Sequence, residues 1–351
     1  MATVAVYRYL TAEDPSDRAR RTVNGTGQSS IGSSVSSKVC HGRFALAPWQ
    51  IPLAGWKDII YRTYQQINDD RLLAIAAGVV FYGLLALFPA ITALVSSYGL
   101  FADPSTVQDN LRSLAVMLPA DAFGVVQDQV GRVLAKGAST LGWTFIFGFA
   151  VALWSANAGT KAIIDALNVV YEEREKRSLL KLNAISIILT LAALITVVLA
   201  ISAVIVMPLL LQRLNLGDAS KALVSIGRWP ALAILLLSAL AVLYRYGPSR
   251  SKPQWQWISV GALTAVILWL GGSATLSWYL SRFGNYTATY GSLGAAIGLM
   301  TWMWMSAIVI LFGAELNSEI EHQTAVDSTD GKPEPLGRRG AVMADTLGQT
   351  A

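Results

Sequence analysis

The sequence is poor in charged residues and in cysteine. Only 14% of its 351 residues are charged, while 54% are hydrophobic, whereas a soluble protein carries roughly 25% charged residues. This composition excludes an ordinary water-soluble domain. Cys40 is the only cysteine, so an intramolecular disulfide is also excluded. The first 47 residues lack the apolar run of a cleaved secretory signal.

Residue patterns typical of enzymes are missing as well. The two histidines, His41 and His322, lie outside the charge-free blocks, and only His322 has carboxylates nearby. Neither histidine has the spacing of a metal site. The phosphate-loop spacing, GxSxG and HExxH do not occur. We therefore predict that the protein is not an enzyme and uses no cofactor or metal, which argues against a nuclease or hydrolase.

The uncharged residues form six long blocks. Stretches without Asp, Glu, Lys or Arg cover residues 72–102, 137–160, 182–212, 229–244, 253–281 and 283–314. A helix needs about 20 mainly apolar residues to cross a bilayer, and only the fourth block is shorter. We predict an all-α polytopic membrane protein, a six-transmembrane-helix bundle within residues 72–320. The predicted spans are about 74–98, 139–160, 184–210, 224–246, 257–281 and 291–314.

Basic residues near the spans predict the orientation. On the side of the N-terminus there are 12: Lys57, Arg62, Arg71, Lys161, Arg174, Lys176, Arg177, Lys181, Arg245, Arg250, Lys252 and Lys332. On the opposite side there are seven: Arg112, Arg132, Lys136, Arg213, Lys221, Arg228 and Arg282. The positive-inside rule therefore predicts that both termini are cytoplasmic. The same clustering explains the pI near 9.3 without a nucleic-acid partner.

The segments outside the spans differ from one another. Residues 1–47, which are rich in Ser and Gly, and residues 321–351, which contain Pro and Gly, are predicted to be disordered cytoplasmic tails. Residues 48–71 carry a helical apolar stripe, and they predict an amphipathic interfacial helix or a helix packed on cytoplasmic loops. Residues 103–136 predict an extracytoplasmic helical hairpin. Its apolar stripes either pack on the spans or form a binding lid.

Polar residues share one face of a predicted helix in residues 155–177. They recur at intervals of 4, 4, 3 and 4, as Asn157, Lys161, Asp165, Asn168 and Glu172. Lys161 and Asp165 have the spacing of an ion pair. Ionisable groups in spans usually face a bundle interior or a wet cavity. This face predicts either a transport or gating site or a structural network at the ends of the spans.

A second polar cluster ends the sixth predicted span. Glu315 and Glu319 are one helical turn apart, in positions to face Lys161 or Arg245 from neighbouring helices. The alternative is a solvated helix end. The candidate polar site is Asn157, Lys161, Asp165, Asn168, Glu315 and Asn317. The sharper hypothesis assigns the selective interaction to Asn157, Lys161, Asp165 and Glu315.

Small residues are frequent in the last two predicted spans. Gly294 and Gly298 form a GxxxG pair, which lets helix backbones approach closely. This is weak evidence, because the pattern arises easily by chance in a glycine-rich segment. The glycines of this region are Gly261, Gly271, Gly272, Gly284, Gly291, Gly294, Gly298 and Gly313.

Several motifs together resemble the YihY/BrkB family of bacterial inner-membrane proteins. They are Phe81-Tyr82 with Phe88-Pro89, the segment SANAGTKAIIDALNVVYEEREKR, and the block from Pro248 through YGSLGAAIGLMTWMWMSAIVILFGAELNSEIE. The resemblance covers about residues 56–321, and the long Ser-rich start is the main departure from it. It implies a six-span bundle of the inner (plasma) membrane with both termini cytoplasmic. Members have often been labelled ribonuclease BN or virulence factor, and the residues give the first label no support.

The residue patterns and the family resemblance leave two classes of function open. The first is transport or translocation of an envelope amphiphile or a small solute, which the polar face around Lys161 and Asp165 favours. The second is a structural or regulatory envelope protein without transport, which the lack of an evident inverted repeat leaves open. The predicted partners are the lipid bilayer and an envelope lipid or small solute, not nucleic acid. A monomer and a homo-oligomer both remain open.

Overall fold

The computed structural model describes residues 41–101, 138–201, 203, 218–283 and 293–350. Within these ranges the regular structure is helical, and the single β-bridge joins Pro253 to Thr329. The predicted hairpin over residues 103–136 and the tail before residue 41 lie outside the described residues.

The described helices follow one another in a simple order. They are α1 Leu53–Asp69, α2 Leu72–Phe101, α3 Ala138–Val170, α4 Leu179–Ile201, α5 Asp218–Tyr246, α6 Trp255–Phe283, α7 Leu293–Gln323 and the short α8 Val342–Asp345. A 3-10 turn at Pro48–Gln50 precedes α1.

Four helices in the described part of the chain are long and apolar enough to cross a membrane. These stretches are Leu179–Ala200 in α4, Trp229–Tyr246 in α5, Trp255–Tyr279 in α6 and Ile297–Gln323 in α7. A shorter apolar stretch, Leu72–Ala86, lies in α2. The all-helical, membrane-type architecture is therefore confirmed. The count of six spans stays a prediction, although predicted spans 74–98 and 139–160 fall inside α2 and α3.

Helix α4 presents large apolar side chains outward along its length. Ile188, Ile195 and Val198 are each at least 59% exposed. In water this surface would be unfavourable, at roughly 25 cal/mol for each Å² of apolar area. A hydrocarbon environment removes that cost, because lipid tails are as apolar as these side chains.

Helices α2, α3, α5, α6 and α7 share the main apolar core. Its fully buried members include Leu72, Leu167, Tyr244, Ile258 and Leu311. Helices α3, α5 and α7 end at one side of the bundle, and helices α2, α4 and α6 begin at the same side. We call this side of the bundle, which carries α1 and residues 171–178, 247–254 and 324–350, the polar end.

A close helix crossing joins α6 to α7 at Gly261 and Gly313. A Cβ atom on Gly313 would lie 2.6 Å from the Gly261 carbonyl oxygen, and a Cβ on Gly261 would clash with the Gly313 carbonyl. Tyr244 adds a third helix, because its hydroxyl donates to the Ile310 carbonyl at 2.7 Å. Small residues at this crossing allow direct backbone contact.

The polar end also holds an ordered C-terminal segment, residues 324–350. Arg339 is 6% exposed, and its guanidinium donates to the Ala344 and Ala325 carbonyls at 2.7 Å each. Gly348 N–H donates to the His322 carbonyl at 2.9 Å. The Pro and Gly residues of this segment predict a disordered tail. The structure differs because a buried arginine, rather than an apolar core, satisfies the backbone of this Pro- and Gly-containing segment.

Helix α1 has two unlike faces. Ile59 is fully buried and packs with Trp257 and Ile320. On the other side Ile60 and Tyr64 are more than 60% exposed. One face therefore packs on α6 and α7, while the exposed apolar face has the character of a membrane-surface helix.

Candidate functional site

Five polar residues near the end of α7 are almost completely buried. None of Glu315, Asn317, Ser318, Glu319 and Glu321 is more than 1% exposed. Successive helix positions point about 100° apart, as 3.6 residues complete a turn, so this end of α7 is surrounded by neighbouring elements. A buried polar group without a hydrogen bond is costly. The partners of these side chains therefore separate structural residues from candidates for function.

Asn317 and Ser318 attach α7 to two neighbouring helices. The Asn317 side chain accepts a hydrogen bond from Gly261 N–H at 2.7 Å and donates to the Ile258 carbonyl at 3.1 Å. The Ser318 hydroxyl donates to the Val170 carbonyl at 3.0 Å. The satisfied amide of Asn317 gives this predicted site residue a structural role between α6 and α7.

Glu319 is held by α1. Arg62 Nε lies 2.5 Å from Glu319 Oε2, and the same guanidinium donates to Gln323 Oε1 at 2.8 Å. The sequence analysis considered Lys161 or Arg245 as partners of this cluster. The structure instead places Arg62 beside Glu319, and it pairs Arg245 with Asp330 at 2.7 Å.

Glu321 is held by the connection between α5 and α6. The Arg250 guanidinium donates to both carboxylate oxygens of Glu321, at 2.7 and 2.8 Å, and stacks 4.0 Å from the Tyr171 ring centroid. Burial alone would lower the pKa of Arg250, but Glu321 outweighs it and the pKa is raised. Burial raises the pKa of the Tyr171 hydroxyl. Arg250 and Glu321 neutralise each other, and their two hydrogen bonds fix the position of one side chain relative to the other.

Asn168 belongs to another structural network. Its side chain accepts a hydrogen bond from Ser249 N–H at 2.7 Å and donates to Glu175 at 3.1 Å. Arg177 forms a 2.7 Å ion pair with Glu175. Hydrogen bonding from Arg177 lowers the pKa of Glu175 to about 2. The candidate residue Asn168 thus joins the end of α3 to the α5–α6 connection.

Helix α3 ends at Val170, before Glu172. Glu172 has φ of 53°, its N–H donates to the Val169 carbonyl, and Glu173 N–H donates to the Asn168 carbonyl. This pair of bonds is a Schellman motif with a glutamate in the left-handed position. The prediction that Glu172 continues the polar face of α3 was therefore wrong, because the helix terminates first.

The remaining candidates on α3 are less tightly held. Lys161 is half-buried and Asp165 is exposed. Both lie in the described residues, and no ion pair within 4 Å joins them, although Asp165 interacts electrostatically with Lys161 and Arg177. Asn157 is 8% exposed, and its buried Oδ1 has no hydrogen-bond partner among the described residues.

Glu315 differs from the other glutamates of α7. It is fully buried, and neither carboxylate oxygen has a hydrogen-bond partner in the described part of the chain. It lies near enough to Asp70 and Glu172 for electrostatic interaction. Asp70, between α1 and α2, also has a buried oxygen without a hydrogen-bond partner among the residues that the structure describes. Burial, then Glu172 and Asp69, raise the pKa of Asp70 to about 6.

The sequence-predicted residues lie at different depths in the bundle. The Ser318–Val170 hydrogen bond places these two residues at one level. At 1.5 Å rise per residue, Glu315 is about 5 Å deeper than that level, and Asn157 is about 20 Å deeper. Lys161 and Asp165 fall between them. The four residues thus form a series in depth rather than one compact cluster.

Sequence reasoning missed several residues of this region. Arg62, Arg250 and Asp70 were counted only as charges near spans or not considered at all. Arg62 and Glu319 are 257 positions apart, so no helical periodicity could have paired them. The amphipathic pattern of α1 was the one signal that its buried face contacts another element.

Comparison with known proteins gives a consistent family match. A model of the virulence factor BrkB family matches residues 63–336. A Bacillus subtilis protein named as ribonuclease-like, YfkH, is 31% identical over 251 residues, which are 69% of this chain and 88% of that protein. A UPF0761 membrane protein of Photobacterium profundum is 25% identical, over 78% of this chain and 85% of its own length.

A further similar protein is a UPF0761 membrane protein from Paraburkholderia xenovorans, and the match covers little more than half of its length. The two are 24% identical over 73% of this chain and 58% of that relative. No solved structure matches. The matched region contains α2 to α7, so Glu315, Glu319 and Glu321 lie inside it, while Arg62 and Arg339 lie outside it.

Proposed function

This chain belongs to the virulence factor BrkB family, and we propose that it transports or translocates an envelope amphiphile or a small solute across the bacterial inner (plasma) membrane. The proposal includes six spans with both termini cytoplasmic. It is supported by the four long apolar helices, the lipid-type surface of α4 and the uneven distribution of Lys and Arg.

The observation that carries the proposal is the contrast among three glutamates on one helix end. Glu319 and Glu321 are neutralised by arginines at 2.5 and 2.7 Å. Glu315 is as deeply buried, yet both of its oxygens lack partners among the described residues. A carboxylate that only fastens helices would be paired like its neighbours. Ionisable residues within spans usually face the bundle interior or a water-filled cavity and mark a substrate or ion pathway.

We extend the pathway along α3, through Asp165, Lys161 and Asn157. These residues step inward from the level of Glu315 and cover about 15 Å of depth. Asn157 supports the assignment because its buried Oδ1 also has no hydrogen-bond partner in the described ranges of the chain. Asn168 and Asn317 are left out of the pathway, since hydrogen bonds to neighbouring elements use their side chains.

A structural or regulatory role without transport is the second candidate. It is favoured by the dense network at the polar end, where Asn168, Asn317, Glu319 and Glu321 all bond neighbouring elements. Under this alternative Glu315 has no selective role, and its replacement by an uncharged residue is neutral or stabilising.

The proposal assigns no nuclease activity to the chain. Both histidines lie beside carboxylates: His41 Nδ1 contacts Asp58 at 2.6 Å, and His322 Nδ1 lies 3.7 Å from Glu319, which already binds Arg62. The ribonuclease-like name belongs to the Bacillus relative. Purified protein is expected to leave RNA intact in metal-replete buffer.

Reconstitution of the full chain into liposomes tests the transport proposal. One arm follows the dithionite accessibility of a fluorescent phosphatidylglycerol, and the other follows vesicle swelling with a small solute, glycerol. In one of the two assays we expect a rate above that of protein-free vesicles. We expect Glu315→Gln to lower that rate at least tenfold, which corresponds to about 1.4 kcal/mol of activation free energy. Its thermal midpoint should stay near that of the parent.

The matched control is Glu319→Gln, on the same helix. It leaves the guanidinium of Arg62 buried without its charged partner, so it should lower the thermal midpoint. Rates at the protein-free level in both arms, or a full rate in Glu315→Gln, would reject transport through this site.

A further inference from the structure

A cationic cavity of about 630 Å³ lies at the polar end, between the start of α4 and the end of α5. It is distinct from the Glu315 region, because none of the candidate polar-site residues lines it. The charged residues of its wall are Lys176, Arg177, Lys181, Arg245, Arg250 and Lys252. No acidic residue is among the described residues that line it.

Four of these cations are fixed by carboxylates outside the lining. The ion pairs are Lys176–Glu173 at 2.8 Å, and Arg177–Glu175, Arg245–Asp330 and Arg250–Glu321 at 2.7 Å each. Each carboxylate therefore orients its partner and neutralises one charge. The wall is preorganised, but these four cations alone give the cavity little net charge.

Lys181 and Lys252 supply the uncompensated charge. Both are exposed, and neither has a carboxylate within ion-pair distance among the described residues. Lys252 instead lies 5.0 Å from the Tyr246 ring centroid. The cavity thus carries an excess of about two positive charges, which is enough to neutralise a phosphate monoester, with a charge of about −1.5 to −2, or a phosphate diester, with a charge of about −1.

The cavity opens beside an apolar surface. Its lining includes Ser178, which precedes α4, and Ile185 within that helix. Leu179 and Leu180, between them in sequence, are about four-fifths exposed. The membrane-type stretch Leu179–Ala200 begins at the same place. A phosphate in the cavity would therefore sit at the end of a lipid-type helix surface.

We propose that this cavity binds a phosphate group, with Lys181 and Lys252 as the residues that determine affinity. The lipid headgroup of an anionic phospholipid and a water-soluble phosphate ester present the same chemistry to these lysines. The adjoining apolar surface of α4 favours the headgroup. The proposal concerns equilibrium binding, so it does not depend on the transport proposal.

Binding is measured on the full chain in mild detergent, as the dependence of the thermal midpoint on ligand concentration. The probes are dioleoyl-phosphatidylglycerol, dioleoylglycerol with the same chains but no phosphate, and glycerol phosphate, a water-soluble phosphate monoester without chains. We expect the thermal midpoint to rise with dioleoyl-phosphatidylglycerol and to stay unchanged with dioleoylglycerol. A rise with glycerol phosphate alone would support the site with a soluble ligand as its source.

The variants separate the cavity from general surface charge. Lys181→Gln with Lys252→Gln should weaken the apparent affinity at least tenfold, and the two Arg replacements should retain it. The matched control, Lys57→Gln with Lys332→Gln, removes two exposed lysines outside the cavity and should bind like the parent. Equal affinity in the Gln pair and the parent, an equal loss in the control, or no response to either phosphate probe would overturn the proposal.

Discussion

At the scale of single residues, hydrogen-bond partners distinguish side chains of the same residue type. Glu315, Glu319 and Glu321 occupy one helix end, and all are buried. Two of them have an arginine partner, and the third has none among the described residues. A buried carboxyl group without a hydrogen bond is costly, while a paired buried charge is tolerated, so burial costs more at Glu315 than at the two paired glutamates. Only partner geometry, which depends on distant parts of the chain, reveals the difference.

Asp70 provides a pH test at this scale. Its pKa is raised by burial to about 6, from 3.8. The folded state therefore holds a proton more tightly than the unfolded state. The resulting stabilisation is complete below about pH 4 and is lost as the pH rises through 6. Asp70→Asn should remove this loss, so the gain of the variant over the parent should grow between pH 4 and 7.

Thermal unfolding in detergent at several pH values measures this effect. The control is Asp69→Asn, which removes the same charge from the exposed neighbouring residue and should leave most of the pH dependence intact. If the thermal midpoints of Asp70→Asn and the parent changed equally with pH, Asp70 would not titrate as inferred.

At the scale of helices, the α6–α7 crossing depends on Gly261. Gly261→Ala should destabilise the protein by about 1–3 kcal/mol, because the added methyl group would meet the Gly313 carbonyl and the Asn317 side chain. The matched control is Gly271→Ala in the same helix, where no neighbouring atom of the described residues lies within 4 Å of the new Cβ. That change should be neutral or stabilising by up to about 1 kcal/mol, because alanine favours helix.

The midpoint of thermal unfolding distinguishes the two substitutions. Equal effects of Gly261→Ala and Gly271→Ala would mean that the close crossing does not contribute to stability. Gly261 and Gly313, which meet at this crossing, are among the glycines of the last two predicted spans, and the close contact of the GxxxG pair Gly294 and Gly298 stays a prediction.

The sequence predicted helices more successfully than their contacts. Charge-free blocks revealed α4 to α7 because a bilayer demands length and apolarity, which are local properties. The pairing of Arg62 with Glu319 and the folding of residues 324–350 around Arg339 depend on residues far apart in the chain. The end of α3 was missed for another reason, since Glu172 occupies a left-handed position that usually carries glycine.

At the scale of the whole molecule, orientation decides which leaflet the cationic cavity faces. The excess of Lys and Arg near the polar end predicts that this end is cytoplasmic. Cysteine labelling tests it after Cys40 is replaced by serine. Arg174→Cys, at an exposed position of the polar end, should react with a membrane-impermeant maleimide in inside-out vesicles and not in intact cells.

The companion variant Lys136→Cys should behave in the opposite way, because the sequence predicts that residues 103–136 are extracytoplasmic. Each variant therefore serves as the accessibility control for the other. Labelling of Arg174→Cys from outside would invert the topology and would turn the Lys181–Lys252 cavity towards the outer leaflet. Since anionic phospholipids in the cytoplasmic leaflet attract clustered Lys and Arg, the expected orientation is also the one in which a phosphate headgroup can reach that cavity.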